Sequence, residues 1–74
     1  MTLKDVHNII IPVFRVIAGN IKEFDSWVEE GHGRIGFRFK DINDREYENW
    51  FTPLNYHEVV EDFKRWKNDI HNYR

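Results

Sequence analysis

Residues 15–28 read RVIAGNIKEFDSWV, and how this stretch is divided decides the fold. An apolar, β-branched run leads into Gly19 and Asn20, and a segment with helical spacing follows. Read locally, this is a strand, a turn and a helix. Asn20 can accept a backbone N–H of the first helical turn, and Glu23 stands where it can reach back to the Asn20 N–H, as in a capping box. Ile21, Phe24 and Val28 recur at helical spacing with Trp27 flanking them, and Gly31 is a ready C′ residue, followed by Gly33. Upstream, residues 9–18 (IIIPVFRVIA) are β-branched and aromatic and predict a strand, with Pro12 near its start or at an edge. Residues 1–8 admit either a short helical turn beginning at Thr2 or a loose tail.

The same order of parts occurs where a βα turn cradles a phosphate. Such cradles need several glycines, so that backbone N–H groups can approach the anion. Here Gly19 stands alone, and Glu23 would repel an anion while stabilising the helix terminus itself. A helix cap is the reading, with a nucleotide-binding βα turn at Gly19 and Asn20 as an alternative.

Downstream, RIGFRFK (34–40) alternates, with Ile35, Phe37 and Phe39 on one side and Arg34, Gly36, Arg38 and Lys40 on the other. That pattern predicts a half-buried strand. DINDR is a turn and EYENWFT (46–52) the return strand. The register that opposes unlike charges sets Lys40 against Glu46, Arg38 against Glu48, Trp50 over Gly36, Phe39 with Tyr47, and Ile35 with Phe51. It leaves Asn49 facing Phe37. A final helix opens at Asn55, with Glu58 at N3 and a Leu54–Val59 staple. Tyr56, Val59, Phe63, Trp66, Ile70 and Tyr73 form one apolar stripe, and Glu61 and Arg65 an outer ion pair. The predicted fold class is α+β, in the order β-α-β-β-α, with a three-stranded mixed sheet and two helices on one face. Residues 1–74 form a single domain.

Composition narrows the function. The 74 residues carry 11 basic and 13 acidic side chains, a net charge of −2, which disfavours non-specific nucleic-acid binding. There is no cysteine, so disulfides, thiolate metal sites and a thiol nucleophile are excluded, and a reducing cytoplasm suits the chain. No apolar run approaches a membrane span, and MTLKDVHN is no signal peptide. Six Phe, three Trp and three Tyr supply the core of a chain this short.

Candidate chemistry is sparse. Ser26 has no histidine near it in sequence and falls on the wet side of the predicted helix. Glu29, Glu30 and His32 form a solvated helix end whose acids oppose the macrodipole, which suggests a basic neighbour such as Arg34 or Arg38. His57 with Glu61, and Glu58 with Asp62, are single-turn pairs without a metal-binding signature. The reading is no enzyme, no cofactor and no metal.

One feature is left over. Arg15 would be costly to bury, so the predicted first strand turns its even positions to the helices and displays Ile11, Val13, Arg15 and Ile17 on the other face, beside Trp50 and Arg38. Exposed apolar surface rimmed by charge marks an interaction site. The function read from it is a protein–protein interaction module that self-associates through this sheet face. The alternative is a small nucleic-acid-binding domain using Arg34, Arg38, Lys40 and Trp50.

The stretch VIAGNIKEFDSW (16–27), in a short aromatic-rich chain, resembles small proteins encoded by phages and mobile elements. That resemblance implies binding to a host protein and modulation or inhibition of its activity. It assigns no functional residue.

Overall fold

The computed structural model describes residues 2–72, and the side chains of residues 2–68. Helix α1 (Leu3–Ala18) comes first, followed by β1 (Ile21–Glu29), a 3-10 turn (Glu30–His32), β2 (Arg34–Asp41), β3 (Glu46–Phe51) and helix α2 (Tyr56–Asn72). The α+β class, the three strands and the placing of both helices on one sheet face agree with the sequence reading. The order and the sheet do not. The chain runs α-β-β-β-α, and the sheet is antiparallel throughout, ordered β1-β2-β3, rather than mixed.

The first helix replaces the predicted first strand. Its nucleus is Thr2, whose Oγ accepts the Asp5 N–H at 3.2 Å while the Asp5 carboxylate accepts the Thr2 N–H at 3.2 Å. This reciprocal cap satisfies two of the terminal donors and lowers the Asp5 pKa. From there Val6, Ile10, Phe14 and Ala18 recur every fourth residue, and with Ile11 they are buried. Pro12 lies within the helix on its exposed side, where water can serve the carbonyl that loses its partner. β-Branched composition favours a strand by propensity; the longer period, and the core it builds, prevails.

The segment after Gly19 is a strand for the complementary reason. Phe24, Ser26 and Val28 face the helices, while Glu23, Asp25, Trp27 and Glu29 alternate outward, opposite Lys40, Arg38, Gly36 and Arg34. Asn20 and Glu23 therefore form no capping box. Gly19, at φ 66°, ends α1, and Gly33, at φ 62°, closes the 3-10 turn in the left-handed region.

The β2–β3 register matches the sequence reading pair for pair, from Lys40 opposite Glu46 to Ile35 opposite Phe51. Its turn is held by Asp41, buried, whose Oδ1 accepts the N–H groups of Asn43 and Arg45, each at 2.9 Å. Helix α2 buries Val59 and Phe63 and half-buries Tyr56 and Trp66. Its predicted details differ. Leu54 is 94% exposed and staples nothing. The Asn55 side chain accepts from the Thr52 N–H and hydroxyl. Glu61 and Asp62 pair with Lys64 and Arg65 three residues on, in place of a Glu61–Arg65 pair. The side chain of Ile70, and all of Tyr73, lie outside the described residues.

Both helices converge on Phe37 at the centre of β2. The Phe14 ring lies 4.3 Å from it and the Phe63 ring 5.9 Å, centroid to centroid. Lys67 ties the layer together by donating to the Ala18 carbonyl at 2.6 Å, a cation at the negative end of α1.

Candidate functional site

With both helices on one side, no described element covers the other face of the sheet. Strand alternation puts Glu23, Asp25, Trp27 and Glu29 of β1, Arg34, Gly36, Arg38 and Lys40 of β2, and Glu46, Glu48 and Trp50 of β3 on that open face. The two tryptophans are built into one assembly. Glu29 Oε2 accepts both indole N–H groups, from Trp27 at 2.6 Å and from Trp50 at 2.8 Å. Its Oε1 accepts from Arg34 Nε at 2.8 Å, and the Arg34 guanidinium lies 4.9 Å from the Trp50 ring centroid. Gly36 makes room for the Trp27 indole: a β-carbon there would stand 2.5 Å from Trp27 Cε2. Trp27 on β1 and Trp50 on β3 both stand in register with Gly36, and the ring seated over it is that of Trp27 rather than Trp50.

These bonds hold the Glu29 carboxyl down at about 2, the Trp27 N–H contributing most, then Arg34 and Trp50. A carboxylate whose folded pKa is depressed stabilises the native state above its unfolded pKa near 4.5, and that contribution fades as pH falls toward 2. Tryptophan emission of the folded chain should therefore change as the Glu29 carboxylate is protonated near pH 2, not near the ordinary value of 4.5. In Glu29→Gln the change tied to this carboxyl should vanish; an unaltered acid titration in that variant would show that Glu29 does not hold the indoles.

The remaining charges form a ladder with a distinct bias. Arg38 reaches Asp25 at 3.0 Å and Lys40 reaches Glu23 at 3.8 Å, so both β2 cations turn to β1. The charge-opposed partners on β3, Glu46 and Glu48, form no ion pair among the described residues. The face carries five carboxylates against three cations, all three engaged. It offers no free cationic field to phosphate.

The sequence-derived site residues part company. Trp50 and Arg38 are on the open face. Ile11, Val13, Arg15 and Ile17 are not, because their segment is helix α1 on the opposite side of the sheet. Ile11 is 6% exposed in the core, and Ile17 packs against it. The Arg15 guanidinium lies 5.1 Å from the Phe24 ring centroid. Val13, 42% exposed, joins Ile9 and Val16 on the outer side of α1. A sheet face bearing Val13 and Ile17 does not exist.

Gly19 and Asn20 sit at the C-terminus of α1, before a strand. This is an αβ turn whose helix dipole presents its negative end, the reverse of a phosphate cradle. Glu29, read as a helix end wanting a basic neighbour, does have Arg34 beside it, but in a strand.

The structure also joins residues far apart in sequence. The Ser26 hydroxyl is 2.8 Å from His7 Nε2, and His7 Nδ1 is 3.1 Å from Asn8 Oδ1. Nucleophile and base are thus within reach, but the ring's second nitrogen meets a neutral amide rather than a carboxylate. The bond ties α1 to β1 and satisfies a part-buried hydroxyl facing the helix layer. His57, Glu58, Glu61 and Arg65 line a shallow depression on α2. Among the described residues no three metal-ligating side chains gather, and no helix is long and apolar enough to cross a membrane. Comparison with protein families, with curated proteins and with solved structures finds no match to this chain.

Proposed function

We propose that this chain is a non-enzymatic protein-interaction module that binds another protein through its open sheet face. The observation that carries the reading is the pair Trp27 and Trp50, locked side by side by Glu29 on a face that neither helix covers. Tryptophan and arginine are the residue types that dominate binding energy at protein interfaces. A platform already held by hydrogen bonds loses little side-chain entropy on docking. The surplus of acids favours a foreign partner with basic character over a second copy, whose like charges would meet across the contact. The resemblance of residues 16–27 to small phage and mobile-element proteins makes a host protein the ligand to look for.

The test uses the whole chain as bait in a lysate, wild type beside Trp50→Ala, with and without nuclease, together with sedimentation across micromolar concentrations. Retained proteins should survive nuclease and fall by at least about tenfold with Trp50→Ala, as for an interfacial tryptophan. Retention unchanged by that substitution would overturn the reading. Retention abolished by nuclease would favour nucleic acid, and concentration-dependent dimers lost in Trp50→Ala would favour a second copy.

A further inference from the structure

We infer that β3 accepts an added strand from a partner, and that this strand carries basic residues at two alternate positions. The inference rests on the interaction reading above and specifies its geometry and chemistry. β3 is an edge of the sheet, with β2 on one side and no strand among the described residues on the other. An edge strand presents N–H and C=O groups that a further strand can satisfy, although on β3 the Trp50 N–H already donates to Asn49 Oδ1 at 2.7 Å. Both edge strands pair regularly with β2, β1 from Glu23 to Glu29 and β3 from Glu46 to Phe51, so regularity does not separate the two edges. They differ in charge: Glu23, Asp25 and Glu29 of β1 are paired with Lys40, Arg38 and Arg34, whereas Glu46 and Glu48 of β3 form no ion pair among the described residues.

Charge selects the occupant. Glu46, Glu48 and Trp50 alternate along β3 on the open face, and β2 meets them with Lys40, Arg38 and Gly36. Both of those cations, however, bridge to β1, so Glu46 and Glu48 form no ion pair among the described residues, Glu46 staying only within electrostatic reach of Arg38. A strand with bases opposite these two glutamates supplies the missing charges, and its next residue on that face lies beside Trp50. Antiparallel addition of a second copy, with β3 against β3, brings glutamates together, which disfavours self-pairing.

The probe is a short acetylated peptide of repeating Lys-Val-Arg-Val pattern, compared with the same peptide carrying Glu at the basic positions. Backbone amide shifts and hydrogen exchange are followed by NMR on the intact chain. The basic peptide should shift and protect β3 amides, more weakly as salt rises, and the acidic one should not. Glu46→Gln/Glu48→Gln keeps the shape of both side chains and should cut affinity by at least about fivefold with its thermal transition retained. Equal binding of both peptides, or no perturbation of β3, would overturn the inference. If partner capture fails in Trp50→Ala but persists in the double Gln variant, the interaction reading stands and strand addition falls. If neither variant alters capture, both fall.

Discussion

Phe37→Ala should leave little of the native state. Phe37 is fully buried and its ring has aromatic neighbours on every side: Phe14 from α1, Phe24 from β1, Tyr47 and Phe51 from β3, and Phe63 from α2, with centroids between 4.3 and 6.2 Å. Aromatic rings from α1, β1, β3 and α2 thus all meet on this one side chain of β2. Truncating a buried phenylalanine costs about 3–5 kcal/mol, from lost transfer energy and from the cavity left behind. A domain of this size has a total stability of roughly 4–11 kcal/mol. The thermal midpoint should fall by roughly 12–40 °C, read by circular dichroism. Ile9→Ala, on the exposed side of α1, should change stability by no more than about 0.5 kcal/mol. A similar small effect at Phe37 would mean that the helices do not converge on β2.

Gly36→Val should damage the open face without touching the core. A β-carbon there stands 2.5 Å from Trp27 Cε2 and 2.6 Å from Cζ2 and Nε1, so the indole must lift from the sheet. Lifting it breaks the Trp27–Glu29 hydrogen bond and disturbs the carboxylate that also holds Trp50 and Arg34. Overpacking of this kind costs about 1–3 kcal/mol, more than the strand preference of valine returns. Partner capture should be lost together with the native tryptophan emission. Adding Trp27→Ala to Gly36→Val should recover stability relative to the single variant, since the clash then disappears. Strict additivity of the two substitutions would show that Trp27 does not rest on Gly36.

The hairpin was legible because its charges and apolar positions agree on one register. Asn49 facing Phe37, the weak pair, finds its own solution by donating to the Tyr47 hydroxyl at 2.9 Å. The first third of the chain misleads for a definite reason. IIIPVFRVIA has strand propensity in its composition and helix periodicity in its spacing, and the periodicity emerges only when Leu3 and Val6 are counted with it. The next segment reverses the conflict: Ile21, Phe24 and Val28 suit a helix, while Phe24, Ser26 and Val28 suit a strand. Charge offered a further signal. Glu23, Asp25 and Glu29 mirror Lys40, Arg38 and Arg34 as well as Glu48 and Glu46 do, so β2 had two candidate neighbours and has both.

By itself the sequence determined the α+β class, the β2–β3 hairpin with its register, the second helix, and Trp50 with Arg38 as surface residues. Those features depend on neighbours close in the chain, where alternation, turn residues and opposed charges act over short loops. Only the tertiary structure decided which of the two ambiguous segments is helix and which is strand, because each has nearly balanced local preferences. A third strand completes the ladder for the acids of residues 23–29, and a helix laid across Phe37 buries Val6, Ile10, Ile11, Phe14 and Ala18. That shared burial outweighs propensities of a few tenths of a kcal/mol per residue. It also moved the proposed interaction surface from the apolar first segment to the paired tryptophans.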